Sequence, residues 1–330
     1  MSEVAIIIVN FRTGALVGQS LHAIARERGA VSRPIVVYII DNHSMDGSVE
    51  LLSALIDKEE WGDWVRLRPK DRNGGFAAGN NAALAEILTN DEIRYVYFLN
   101  PDAVIRPNAI STLLRFLDEC PKASIVGTRL EEPDGRPSSS AFRFPSAISE
   151  FLDAARIGYL DRLFERWIVA RPPAEQSHPT DWVSGASFVV RKEVFDRVGL
   201  LDEGYFLYFE EVDFMKAASA AGFEVWHFPD AKVVHEAGSS TKLKDGRSNE
   251  GALPPYWYES WRRYFTKHHG RSGILLAAAA WFAGRSLAWS LEVLRLRPKQ
   301  LGSRRTATFL MQGVLPAFLS SGQSASHGRI

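Results

Sequence analysis

The chain of 330 residues has a single cysteine, Cys120, which excludes an internal disulfide and a cysteine-built zinc site and fits a reducing compartment. It has no surplus of charge: Lys plus Arg and Asp plus Glu both number 39. No overall field therefore favours nucleic acid or a strongly acidic partner. No internal repeat and no long low-complexity run is present. The N-terminal MSEVAIIIVNF lacks a basic n-region and its apolar run is too short for a signal peptide, so residues 4–9 read as the first strand of a folded domain. Two phosphate-binding glycine patterns, G-x-G-x-x-G and G-x-x-x-x-G-K-[ST], are missing. NFRTGALVG stands where a dinucleotide fingerprint would follow the first strand, which argues against a dehydrogenase.

What is present is the material of an ordinary globular fold, 46% hydrophobic and 24% charged. The length suits one large domain with an appendage, or two domains. Continuous β-branched runs at 4–9 (VAIIIV) and 35–40 (IVVYII) predict strands buried on both faces. Further strands are expected at 64–67, 95–99, 124–128, within 181–190, and as two short pieces at 224–228 and 231–235. Helices are expected at 14–28, 47–57, 80–88, 107–118, 192–198 and 210–221. This β-α-β-α rhythm implies an α/β fold with a mostly parallel central sheet flanked by helices. Residues 131–146 read as a loop or short hairpin and 170–180 as a second proline-bearing loop. From about 255 the composition turns to Trp, Tyr, Arg and long apolar helix. The expected division is a domain at 1–245 and a helical appendage at 246–330.

The early strands end in polar residues: Asn10, Asp41-Asn42, and Asn100 and Asp102 in YVYFLNPDAV. Proline cannot donate to a β-ladder, so Pro101 closes its strand. The acid behind it then sits beyond a strand's C-terminal end, where open α/β sheets hold their ligands. Asx residues also favour turns and caps, but several at successive strand ends point to a pocket for a uracil- or thymine-type base or a ribose. In RNGGFAAGNN, Gly74, Gly75 and Gly79 allow close backbone approach to a ligand, or a tight turn before a helix. Asp102 is the best metal candidate, since Mg²⁺ and Mn²⁺ take carboxylate, phosphate and water oxygens. His235, past another strand, is a candidate nitrogen ligand for a Mn²⁺-like ion or a structural histidine. In FEEVDF, acids at a helix N-terminus suit the macrodipole, but beside the aromatic YFLYF a carboxyl can be raised toward base chemistry. Glu210 and Asp213 share a helix face, and Glu211 points elsewhere.

Together these segments resemble the family 2 glycosyltransferases of the GT-A fold, especially the bacterial rhamnosyltransferase-like branch. The resemblance is carried by IIIVNF, IIDNHSMDGS, RNGGFAAGNNAAL, FLNPDAVI, WVSGASFVVRKEVFDRVGLLDEGYFLYFEEVDF and VVHEAGSST, from residue 4 to about 241. It implies inverting transfer of a sugar, rhamnose or a related deoxysugar, from a dTDP- or UDP-linked donor to a lipid-linked or saccharide acceptor, with Mg²⁺ or Mn²⁺. It implies donor-binding roles for Val9, Asn10, Asp41, Asn73, Gly74, Gly75, Asn80 and Asn100. Asn100-Pro101-Asp102 matches the family's D-x-D metal motif with only its last acid, which leaves Asp102 and His235 as the implied ligands. Trp182, Ser184, Gly185 and Ala186 match the segment facing the acceptor. The family's usual Glu-Asp pair is Glu210-Glu211 here, so Glu211 takes the position of the base, with Glu210 and Asp213 in support. The alternatives are a nucleotidyltransferase, or a non-catalytic sugar-binding scaffold retaining the fold.

In the appendage, ILLAAAAWFAG runs about eleven residues before Arg285, short of the ~20 that span a bilayer. SLAWSLEVL then continues the apolar face, with Arg263, Lys267, Arg271, Arg285, Arg295 and Arg297 as expected polar anchors. Such a helix suits an interfacial position, which implies peripheral attachment to the cytoplasmic face of the inner membrane. A cap on the catalytic domain or on another subunit is the competing expectation. The final SSGQSASHGRI reads as disordered.

Overall fold

The computed structural model of the protein describes residues 3–29, 31, 33–235, 253–294, 296 and 303–319. The expected boundary near 245, the anchors Arg295 and Arg297, and the C-terminal tail lie outside the described residues. In chain order the elements begin β1 Val4–Asn10, α1 Gly14–Arg28, β2 Ile35–Asp41, α2 Ser48–Lys58, β3 Val65–Pro69, α3 Gly75–Ile87, β4 Tyr95–Leu99, β5 Ala103–Ile105, α4 Ala109–Glu119 and β6 Ala123–Glu131. They continue β7 Ala141–Phe142, α5 Ala147–Ala155, α6 Gly158–Leu163, β8 His178–Thr180, β9 Trp182–Val183, β10 Ser187–Arg191, α7 Glu193–Val198, α8 Glu210–Ala220 and β11 Glu224–His235. The last are α9 Pro255–Val293, α10 Ser303–Thr308, a π-helical stretch Phe309–Val314 and α11 Leu315–Leu319.

These form two compact units. The first comprises Met1–Phe144, Val169–Phe206 and Glu210–Leu243. Its main sheet runs β3-β2-β1-β4-β10-β6-β11-β5, with β8 also on β11. Strands β1, β2, β3 and β4 are mutually parallel, as are β6 and β11. β10 enters antiparallel between β4 and β6. Alternation along β1 divides the core. Val4, Ile6 and Ile8 pack with α1, α2 and α4 on one face, and Ala5, Ile7 and Val9 with α3, α7 and α8 on the other. The uninterrupted β-branched runs are thus strands covered by helices on both sides.

Relative to the sequence expectation, α3 starts at Gly75 rather than residue 80, β5, α5 and α6 form where no element is expected, and two strands are divided differently. The spacing predicts two short strands at 224–228 and 231–235; the chain forms one strand, β11, whose register against β6 shifts between Phe228 and Lys232. Pro229 lies in that shift, where a missing N–H is absorbed by a bulge rather than by ending the strand. The single strand expected within 181–190 is divided by a turn at 184–186 into β9 and β10, which belong to different sheets.

The second unit comprises Pro145–Ile168, Leu207–Phe209 and Lys244–Ile330. Ser146 caps α5 in a reciprocal box with Ser149. α9 breaks at Gly270 (φ 67°, ψ −171°), a conformation open to glycine, so it is two helices in series. Its second half lies against α5 so closely that a Cβ on Gly284 would come 2.2 Å from the Phe151 carbonyl oxygen. Trp281 stacks on Phe309 with ring centroids 4.2 Å apart. Arg285 corrects the expectation of a polar anchor: it is turned inward, 3.4 Å from Glu292, with both side chains under a tenth exposed.

Candidate active site

The segment after β4 gains its position from two pairings. The Asn100 N–H donates to the Ala186 carbonyl (2.9 Å) and the Ala103 N–H to the Asn100 carbonyl (3.1 Å). β5 then pairs antiparallel with the end of β11, Ala103 opposite His235. That register brings His235 Nε2 to 3.3 Å from Asp102 Oδ1, with both side chains mostly buried. A carboxylate oxygen and an imidazole nitrogen at one point fit a Mg²⁺- or Mn²⁺-like ion that takes its remaining ligands from phosphate and water. Among the described residues no group of three or more His, Cys, Asp or Glu forms a metal cage.

The acid pair opens α8. Burial, and then the charge of Glu211, push the Glu210 carboxyl well above the usual carboxylate range. Burial raises Glu211 too, and the backbone N–H groups of Glu211, Val212 and Gly185 pull it partly back. Oε2 of each is buried with no hydrogen-bond partner among the described residues. Both carboxyls are thus shifted upward, and the charge of Glu211 adds to the cost of ionising Glu210. Asp213 is held differently, accepting the Tyr205 hydroxyl at 3.2 Å.

The turn at 184–186 connects the two groups. A Cβ on Gly185 would stand 3.4 Å from Glu211 Oε1, and Ala186 holds Asn100, two residues before Asp102. Ser184 braces the turn by accepting the Ala186 N–H at 3.3 Å. Trp182 stacks on Phe142 (centroids 4.1 Å apart) and donates its Nε1–H to the Arg143 carbonyl at 2.9 Å.

At the neighbouring strand ends, Asn10 and Asp41 stand in register. Asn10 Nδ2 donates to Asp41 Oδ2 (2.7 Å), and the Ser44 hydroxyl and N–H donate to Asp41 Oδ2 and Oδ1 (2.6 and 3.0 Å). Val9 packs against α3 only because position 79 is glycine: a Cβ there would meet Val9 Cγ1 at 2.6 Å. Asn42 Nδ2 ties the glycine loop down through Asn73 Oδ1 (3.0 Å) and the Gly75 carbonyl (2.8 Å). Gly75 (φ 84°) has no room for a side chain, since a Cβ would fall 2.0 Å from the Phe206 carbonyl oxygen. Gly74 leads into α3 as its N-cap residue. Asn80 turns back onto its own helix, donating to the Phe76 carbonyl at 2.9 Å.

Sequence reasoning missed two residues. Ser44 orients Asp41, a role hinted at by its three-residue spacing from that acid. Asn81 clamps the approach to α8, exchanging hydrogen bonds with Leu201 (2.8 and 3.1 Å). Its only signal was a second asparagine beside Asn80.

The sequence and the fold have counterparts among known proteins. The glycosyl transferase family 2 profile matches residues 5–198. The chain is 29% identical over 296 residues to the N-acetylglucosaminyl-diphospho-decaprenol L-rhamnosyltransferase of Mycobacterium tuberculosis, covering 86% of this chain and 91% of that protein. It is 26% identical over 169 residues to the rhamnosyltransferase WbbL of Escherichia coli, covering 49% of this chain and 61% of that one. Among solved structures, the mannosyltransferase PcManGT from Pyrobaculum calidifontis, in complex with GDP-Man and Mn²⁺, superposes with a TM-score of 0.50 at 16% identity. That match covers 96% of this chain and 86% of PcManGT, and it supports the GT-A-like α/β fold.

Proposed function

The chain belongs to glycosyl transferase family 2, and from that premise we propose the reaction it carries out: inverting transfer of rhamnose or a related deoxysugar from a dTDP- or UDP-linked donor to a lipid-linked saccharide. The product would be a cell-envelope glycan precursor, formed at the cytoplasmic face of the inner membrane. The mycobacterial relative, whose name specifies a diphospho-decaprenol-linked N-acetylglucosamine and L-rhamnose, supports that choice of acceptor and sugar.

The observation that carries the reading is the turn at 184–186, bonded through Ala186 to the segment of Asp102 and His235 and lying against Glu211 through Gly185. In the proposed reaction Asp41, its oxygens oriented by Asn10 and Ser44, and the loop at Asn73, Gly74 and Gly75 hold the nucleotide. Asp102 and His235 would hold a divalent ion, which would supply positive charge to the departing diphosphate. Glu211 takes the acceptor hydroxyl's proton as that oxygen bonds to the anomeric carbon opposite the leaving group. The carbon–oxygen bond to the diphosphate breaks, and the configuration inverts. Glu210 keeps its proton and so leaves the negative charge to Glu211. Gly185 places no side chain beside Glu211.

The test is a thermal-shift panel of nucleotide sugars with and without Mn²⁺, followed by transfer to a polyprenyl-diphospho-N-acetylglucosamine with the product anomer read by NMR. Binding raises the melting temperature by mass action. Stabilisation by NAD alone, or a product that retains the donor's configuration, would overturn the reading.

A further inference from the structure

The second unit carries a helix face with inverted polarity. Residues 272–294 contain two charged side chains, Arg285 and Glu292. Both point inward and pair, seven residues and two turns apart. The outward side presents Leu275, Leu276, Leu287, Trp289, Val293 and Leu294, with Leu276 and Leu294 62% and 66% exposed. The other exposed positions between them are alanine and serine. A helix at a water-facing surface does the reverse, burying its apolar stripe and exposing its charges. At 1.5 Å per residue the stripe from Leu275 to Leu294 is ~29 Å long, too extended for the scattered apolar residues normal on a protein surface.

We infer that this face is a membrane-docking surface, lying in the plane of an anionic lipid surface rather than crossing it. The inference rests on the membrane location proposed above and deepens it by naming the face and its orientation. Three observations select the lipid. Cationic residues flank the stripe: Arg271 is exposed at its start, and the sequence places Arg295, Arg297 and Lys299 just past its end. Trp289, 59% exposed, offers the amphipathic ring favoured at the interface. The face also excludes charge along its whole length, whereas a partner protein is usually met with a polar rim. Spanning is disfavoured because the opposite side of the helix is covered. α5, which carries Glu150 and Asp153, packs against it at Gly284, and crossing would carry those acids and the Arg285–Glu292 pair into hydrocarbon.

The experiment floats the full-length protein with vesicles of phosphatidylglycerol and phosphatidylethanolamine, without donor or acceptor, so its failure and that of the transfer reaction are distinguishable. The parent is expected to float, and Leu276→Asp/Leu287→Asp/Leu294→Asp to lose at least ~10-fold of the bound fraction. Circular dichroism and melting should be unchanged, since all three side chains are exposed. Brominated lipid should quench the parent more than Trp289→Phe, and alkaline carbonate should release the protein from cell membranes. Equal flotation of the triple variant would overturn the inference. So would a dimer that the variant converts to monomer, making a second copy the occupant, or resistance to carbonate, making the helix a span.

Discussion

Replacing Glu211 by glutamine preserves the volume of a side chain buried beside Gly185 and removes the capacity to accept a proton. If Glu211 is the base, turnover should fall by ~10²–10⁴-fold, a barrier increase of about 2.7–5.4 kcal/mol at ~1.36 kcal/mol per tenfold. Donor affinity should barely change, because the proposed nucleotide contacts lie at Asp41 and the glycine loop. The neighbouring acid supplies the control. Burial and then the charge of Glu211 push the Glu210 carboxyl upward; in the proposed reaction it is the neutral partner, which Glu210→Gln imitates, so most of the turnover should survive. The parent's rate should fall as pH drops through the raised apparent pKa of the pair, since Glu211 must be ionised to act. Glu211→Gln should lose that acid limb, and Glu210→Gln should keep one. Steady-state kinetics from pH 5 to 9 with a soluble acceptor analogue, alongside calorimetry of donor binding, separate these outcomes. A Glu211→Gln turnover within about fivefold of the parent, or a dead Glu210→Gln enzyme with an active Glu211→Gln one, would refute the assignment.

Asp102→Asn and His235→Ala should each abolish the Mn²⁺-dependent part of nucleotide diphosphate affinity in calorimetry, leaving the metal-free part intact. His227, beside Ser140 Oγ at 2.9 Å, is lowered from 6.5 to about 4 by burial and then by His178, Arg129 and Arg171. Its stabilising effect is complete above pH 6.5 and is lost as pH falls toward 4, about 3 kcal/mol in all, so urea melts should show His227→Gln less acid-sensitive than the parent over that interval. Glu210 has the opposite sign: its raised folded value means stability lost as pH rises past the ordinary 4.5. Glu210→Gln should therefore melt higher than the parent at pH 7, with the difference vanishing near pH 4. Gly75→Ala should cost at least ~1 kcal/mol for its left-handed backbone alone, and more for displacing Phe206, and should weaken donor binding in the same titration.

What could be read from the residues, and what could not, divides along one physical line. The strand runs at 4–9 and 35–40 were legible because burial on both faces demands apolar side chains at every position, whatever the neighbours. The polar strand ends were legible as a set for the same local reason: Asn10, Asp41 and Asp102 each follow a β-branched or aromatic run that has to stop. Which ends meet was not legible. His235 reaches Asp102 because β5 pairs antiparallel with the end of β11, and neither residue's surroundings in the chain specify that register. Family resemblance named the pair, and β-pairing joins it. Arg285 failed for the complementary reason. A lone arginine in an apolar helix reads as an anchor facing water, because burying an unpaired charge is so unfavourable. Glu292, seven residues on, removes the penalty by completing a buried pair, and an i to i+7 spacing places two side chains on one face without saying which face is inward. That choice belongs to α5, whose Phe151 backbone leaves room only for Gly284. Polarity assigned from the helix alone therefore came out reversed, and the same reversal left the uncharged leucine face outward.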